Sequence, residues 1–163
     1  MTRPPDRNEE AVKAFIERYA AVLTESGFPR MPARIFVALL ASERGRLTAA
    51  ELADVLHSSP AAISGGVRFL TQNFLASRER EPGSRRDVYV VHDDALMEST
   101  VNRTPLVARW AAQLREGLNA VGPDSPAGRR VKLNLAFAEF VLDEMEGMVK
   151  RWNEHKLTLH LED

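Results

Sequence analysis

No cysteine occurs among the 163 residues, so disulfides and thiolate metal sites are excluded. A reducing compartment, the cytoplasm, is the expected setting. No apolar run approaches the roughly 20 residues that cross a bilayer. The start, MTRPPDRNEE, is charged and proline-bearing rather than apolar, so no secretory leader is expected. Charge of one sign is also lacking: 22 basic against 23 acidic residues leave a formal net charge of −1. A chain that coats nucleic acid indiscriminately would be strongly basic, and this one is not. Catalytic signals are missing too. Ser64-Gly65-Gly66 lacks the surroundings of a nucleophile elbow, and no glycine-rich phosphate loop occurs. His57, His92, His155 and His160 are not spaced as a ligand set, although His155 and His160 sit near Glu154, Glu162 and Asp163. No enzyme activity, cofactor or metal is therefore expected.

What is present is concentrated between Leu47 and Val91. Thr48 and Glu51 have the spacing of a capping box, in which hydroxyl and carboxylate satisfy each other's backbone amides. Leu52, Ala53, Val55 and Leu56 give the short helix that follows an apolar side, and His57-Ser58 break it. Ser59-Pro60 start the next helix, with Ser59 as N-cap and Pro60 where a missing N–H costs nothing. Ile63, Val67, Leu70 and Phe74 recur at i, i+4, i+7 and i+11, predicting one buried stripe.

The opposite face of that helix carries Ala61, Ser64, Gly65, Arg68 and Gln72. Solvated helix faces are normally rich in Lys and Glu; this one is small, with a single cation. Small residues let a helix backbone approach base edges, and Arg68 has the fork to grip a guanine or a phosphate. Gly66, on the inner side, suits close helix packing. Residues 77–81 and 87–91 then read as two strands around the turn Pro82-Gly83-Ser84-Arg85-Arg86. Arginines on such a tip suit the negative potential of a minor groove. From Pro60 to His92, Arg68, Arg78, Arg80, Arg85 and Arg86 outnumber Glu79, Glu81 and Asp87, so a local basic patch survives the neutral total.

Helix, turn, helix and hairpin in that order define a winged helix-turn-helix. The expected fold is mostly α with a small β-wing, a winged helix-turn-helix joined to a helical dimerisation layer. The expected organisation is a disordered segment 1–7, a dimerisation helix and linker 8–30, a winged helix-turn-helix DNA-binding domain 31–92, and a helical dimerisation region 93–163. A first helix from about Asn8 to Ser26 ends at Gly27, and Pro32 is expected to open the second. Thr104-Pro105 and Ser125-Pro126 start two more. In the former, Leu106, Trp110, Leu114 and Leu118 form one stripe. The last helix is apolar on two faces: Leu133, Phe137, Phe140 and Met148 with Trp152 on one, Val131, Leu135, Leu142, Met145 and Val149 on another. One surface helix needs only one apolar face, so the second implies a partner, here a second copy. The first helix is expected to join the last in that shared layer.

The run SPAAISGGVRFLTQ resembles the recognition helix of the MarR family of bacterial regulators, and REREPGSRRDVYVV resembles its wing. GFPRMPAR, from Gly27, resembles the linker and second helix of the GbsR-like branch. The resemblance, from Arg30 to Val91, implies a homodimer that reads a palindromic operator in double-stranded DNA. It also implies repression relieved by a small-molecule effector. Relatives carry an aspartate-arginine pair at the wing tip where this chain has Arg85 and Arg86, so either arginine is a candidate for the groove. The DNA-binding candidates are Thr48, Ser59, Ala61, Ala62, Ser64, Gly65, Arg68, Arg80, Arg85 and Arg86. Tyr19, Trp110, Phe137 and Phe140 are the candidates for an effector pocket, as aromatics suit cation cages. The alternative reading is a winged-helix module that binds protein and not DNA.

Overall fold

A computed structural model describes residues 7–159 except Pro82 and Arg85. Two of the expectations above, Arg85 in the groove and His160 beside His155, therefore fall outside the described residues, as do residues 1–6 of the expected disordered segment. The chain divides into two compact units, with the boundary between Leu96 and Met97.

The first unit opens with α1 (Glu9–Glu25), capped by the Asn8 side chain, which accepts from the Ala11 amide. Gly27, at φ +91, lets the chain turn away. Helix α2 (Arg30–Leu40) begins two residues before the expected Pro32, which lies buried within its first turn. A first turn leaves its amides unbonded, so a proline is tolerated there. Pro32, Ala33, Ile35, Phe36, Val37, Ala38 and Leu39 are all buried. A helix apolar on nearly every side belongs at the centre of a domain. Ile16 and Ala20 of α1 lie in the same core. Phe15 and Val22 of α1 are exposed.

Strand β1 (Arg46–Thr48) follows, a strand that no spacing in the sequence announces. Its three residues are too few to show a period, and the strand exists because of its partner. Helix α3 (Ala49–Leu56) and helix α4 (Pro60–Gln72) form the helix-turn-helix. Leu52, Leu56, Ile63 and Leu70 face α2 and its core. Strands β2 (Ser77–Arg80) and β3 (Asp87–Val90) make the wing, each ending one residue short of the expected span. The sheet runs β1-β3-β2, antiparallel throughout, with Leu47 opposite Tyr89 and Arg78 opposite Tyr89 on the other side.

Phe74 departs from expectation. The stripe of α4 stops at Leu70 because the helix ends at Gln72, and Phe74 is 49% exposed at φ +58. Leu75 takes its place in the core.

Helix α5 (Ala95–Val101) spans the boundary, and α6 (Thr104–Val121) and α7 (Pro126–Lys156) build the second unit. Ala111, Leu135 and Ala138 are buried where α6 meets α7, with Val107, Leu114, Leu118 and Leu142 packed around them. The buried stripe of α6 is thus Val107, Ala111, Leu114 and Leu118. Leu106 and Trp110, expected on it, are exposed, because the small Ala111 rather than the indole occupies the seam. Thr104 lies inside the helix; its hydroxyl donates to Sδ of Met145 at 3.8 Å. Ser125 caps α7 by accepting from the Gly128 amide at 2.9 Å. Gly128 is obligatory there: a Cβ would stand 2.1 Å from the carbonyl oxygen of Gly122.

Candidate nucleic-acid interface

Helix α3 starts as its sequence predicts. The Thr48 hydroxyl accepts from the Glu51 amide at 3.2 Å, while the Glu51 carboxylate accepts from the Thr48 amide at 2.7 Å. The Thr48 hydroxyl also donates to that carboxylate at 2.8 Å. These bonds from the Thr48 amide and hydroxyl hold the Glu51 carboxyl below its ordinary value, and the Arg44 and Arg86 charges add to the effect. Thr48 is thus committed to the box, which limits what it can offer a phosphate.

The turn between the helices is tight. His57 adopts the left-handed conformation (φ 48, ψ 50) that closes α3. The Ser58 amide donates to the Ala53 carbonyl at 3.0 Å. Ser59 then caps α4, its Oγ accepting from the Ala62 amide at 3.3 Å.

Helix α4 shows two contrasting faces. Gly66 is buried against α2, and a Cβ there would stand 2.3 Å from Cδ1 of Ile35. Gly65, one residue earlier, has open space where a Cβ would be. Ala61, Ser64, Gly65, Arg68 and Gln72 are exposed, and Ala62 is half-buried. The Arg68 guanidinium has no ion-pair partner among the described residues. The helix thus offers solvent a shallow surface with one long donor.

The wing is less basic than its sequence suggests. Arg78 pairs across the strands with Asp87, whose carboxyl is held below its usual range by that hydrogen bond. Arg46 lies 3.9 Å from Glu79. Arg80 and Arg86 remain exposed at the outer end of the hairpin. The Glu81 amide donates to the Arg86 carbonyl at 3.1 Å, and the Ser84 amide to the Glu81 carbonyl at 3.0 Å, closing the tip. Gly83 sits in it at φ +77. Arg86 also borders a groove of about 980 Å³ shared with Arg44, Arg46, Glu51 and Asp54. Its mixed charge marks no single ligand class.

Sequence reasoning missed Arg34. Its guanidinium clasps the Glu17 carboxylate on α1, with Nη2 at 2.6 Å and Nε at 2.9 Å from Oε1. It also donates to the Leu56 carbonyl at 3.1 Å and to Ser58 Oγ at 3.3 Å. No local spacing announces a contact between residues so far apart in sequence.

The effector candidates are distributed over both units. Tyr19 is half-buried on α1 and stacks on Phe15, centroids 5.8 Å apart. Trp110 on α6 and Phe137 and Phe140 on α7 are exposed.

Residues 94–155 match the sequence model of the MmpR5-like MarR family transcriptional regulators. No curated protein matches the chain. A solved structure described as a transcriptional regulator aligns with a TM-score of 0.79 at 22% identity, covering 88% of this chain and 99% of its own. A MarR family transcriptional regulator from Silicibacter pomeroyi aligns at 0.42 with 19% identity, over 84% of this chain and 86% of its own. Another from Streptomyces coelicolor, solved in complex with DNA, aligns at 0.41 with 20% identity, over 85% and 82%.

The fold is a winged helix-turn-helix with added helices, mostly helical with a small three-stranded antiparallel sheet, and it is shared with the solved regulator that aligns at 0.79. The family-model match covers residues 94–155, which lie almost wholly in the second unit, and the alignment at 22% identity shows a shared fold. Among the described residues no helix is long and apolar enough to cross a membrane.

Proposed function

We propose that this chain is a sequence-specific DNA-binding transcriptional regulator of the MarR type. It acts in the cytoplasm as a homodimer on a palindromic operator, repressing transcription until a small molecule releases it. The observation that carries the reading is the outer face of α4: Ala61, Ser64 and Gly65 are small and exposed, and Arg68 stands beside them without a carboxylate partner among the described residues. Such a face lets a helix backbone descend between phosphate ridges while one guanidinium reads a base edge. Arg80 and Arg86 add exposed cations on the wing. The proposal assigns the chain no reaction and no cofactor.

The GbsR-like placement rests on residues 27–91, whereas the matched family segment is 94–155, so the two concern different parts of the chain. The effector proposal rests on aromatic faces that suit an apolar or cationic ligand; of its candidates Tyr19 belongs to the first unit and Trp110, Phe137 and Phe140 to the second.

A second reading, a protein-binding winged helix, is favoured by one observation: Asp87 and Glu79 offset Arg78 and Arg46 in the wing. Selection from a random duplex pool, followed by titration at several salt concentrations, separates the two. A regulator enriches a palindromic motif and binds it with a steep salt dependence. Arg68→Ala should cost roughly 1–3 kcal/mol on the enriched duplex and little on a scrambled one. Failure to enrich any motif rejects the DNA reading in favour of the protein-binding one.

A further inference from the structure

We infer that Glu17 and Arg34 are positioning residues that tie α1 to the helix-turn-helix turn and fix the angle at which α4 is presented. The inference rests on the reading above that α4 meets DNA. Its basis is the geometry of one guanidinium. Arg34 is three-quarters or more shielded, with 18% of its side chain exposed, and it faces three acceptors at once. One is the Glu17 carboxylate, held by both Nε and Nη2. The second is the carbonyl of Leu56, the last residue of α3. The third is Ser58 Oγ, which itself donates to that same carbonyl at 3.0 Å.

This arrangement does more than neutralise an acid. A helix C-terminus leaves carbonyls without partners and carries partial negative charge, so a cation there is favourable. Arg34 supplies it where α3 must stop and the chain must turn within three residues to the Ser59 cap of α4. The left-handed His57 lies between Leu56 and Ser58, so the guanidinium brackets the residue that sets the turn. A planar fork reaches three acceptors in fixed directions; an ammonium does not. Glu17 holds the far side of the fork, and it belongs to a different helix. A displacement of α1 is therefore transmitted to the turn.

The full chain tests this with Glu17→Gln, Arg34→Ala and their combination. The probes are a duplex enriched from a random pool by the unaltered protein and a scrambled duplex of equal length. Glu17→Gln removes a negative charge, which by electrostatics alone strengthens binding to any duplex. A positioning role gives the opposite sign on the enriched duplex. The expected result is an affinity loss of about 5- to 20-fold there, a size typical of coupling between separate sites, with no loss on the scrambled duplex. Amides of Ser58 and Ala62 should exchange faster in the free variant, with far-ultraviolet circular dichroism unchanged. In the Arg34→Ala background Glu17→Gln should cause no further loss on the enriched duplex, since its target is gone. Equal or improved binding of the enriched duplex by Glu17→Gln overturns the inference, as does an undiminished Glu17 effect without Arg34. If the unaltered protein enriches no duplex, the DNA reading fails on its own account. Amide exchange then decides the relay: wild-type rates at Ser58 and Ala62 in Glu17→Gln overturn it.

Discussion

Gly66 of α4 faces Ile35 of α2 so closely that a methyl group on it would stand 2.3 Å from the Ile35 Cδ1 atom. Ile35 is fully buried, and Met31 Cγ and the Pro32 nitrogen close the same space at 3.4 and 3.5 Å. Because Ile35 is fully buried, its Cδ1 must turn aside into packed core or the two helices must separate. Gly66→Ala should therefore destabilise the fold by about 1–3 kcal/mol, the usual cost of overpacking. Gly65→Ala should do the reverse, stabilising the free protein by up to about 1 kcal/mol, because alanine is the better helix former and meets nothing. Chemical denaturation of both variants checks the contrast. On an enriched duplex Gly65→Ala should lose affinity despite its greater stability, since the added methyl faces the proposed DNA.

His57 offers a second test of backbone strain. It is exposed and holds φ at +48, a region that costs an L-residue roughly 1 kcal/mol and costs glycine little. His57→Gly should raise stability by about 0.5–1 kcal/mol in equilibrium unfolding. A loss of stability would mean that the imidazole makes contacts worth more than the strain.

The capping box predicts a pH dependence. The folded-state carboxyl of Glu51 is held below its ordinary value of 4.5, chiefly by the Thr48 amide and then by its hydroxyl. A depressed folded value means stability that is fully present above the unfolded value and is lost as pH falls through the folded one. Unfolding midpoints measured from pH 6 down to about pH 3 should thus fall less steeply in Glu51→Gln than in the unaltered chain. Parallel curves for the two proteins would show that the carboxylate contributes nothing to the acid limb.

Local signals carried most of the first unit. Ser59-Pro60, Thr48 with Glu51, and Gly83 in a turn are short-range chemistry, and each stands where its spacing placed it. The inward role of Gly66 was also legible, because Ile63, Val67 and Leu70 fix the phase of the helix. Three features were not. Strand β1 depends on pairing with β3, some forty residues later, and three residues carry no period of their own. Arg34 looks like any surface arginine until α1 and the turn are folded onto it. Spacing puts Trp110 in phase with Leu114 and Leu118, yet the seam between α6 and α7 is narrow enough to prefer Ala111 and Ala138. In the proposed interface, the helical phase marked the outer face of α4 as exposed, but which wing arginine is engaged was not legible, because the Arg78–Asp87 partnership crosses strands.

Helix α7 carries the last prediction. Its inner face packs Leu135, Ala138 and Leu142 against α6, while Leu133, Phe137 and Phe140 stand 72%, 66% and 59% exposed. Those three recur at i, i+4 and i+7 and so form one continuous stripe. Scattered apolar side chains are normal on a surface, but an aromatic stripe on one helix is a surface that waits for a partner. The proposed partner is a second copy, for which a closed two-fold contact needs only a self-complementary patch. Phe137→Ser with Phe140→Ser should leave the α6–α7 seam intact and helicity unchanged, yet shift sedimentation at micromolar concentration from dimer to monomer. Binding to a palindrome should then fall by roughly 100-fold or more, since each half-site loses the effective concentration that the other supplied. Binding to an isolated half-site should not change. An unaltered protein that sediments as a monomer and still binds a palindrome tightly would reject the dimer, and a serine variant that stays dimeric would move the interface off this stripe.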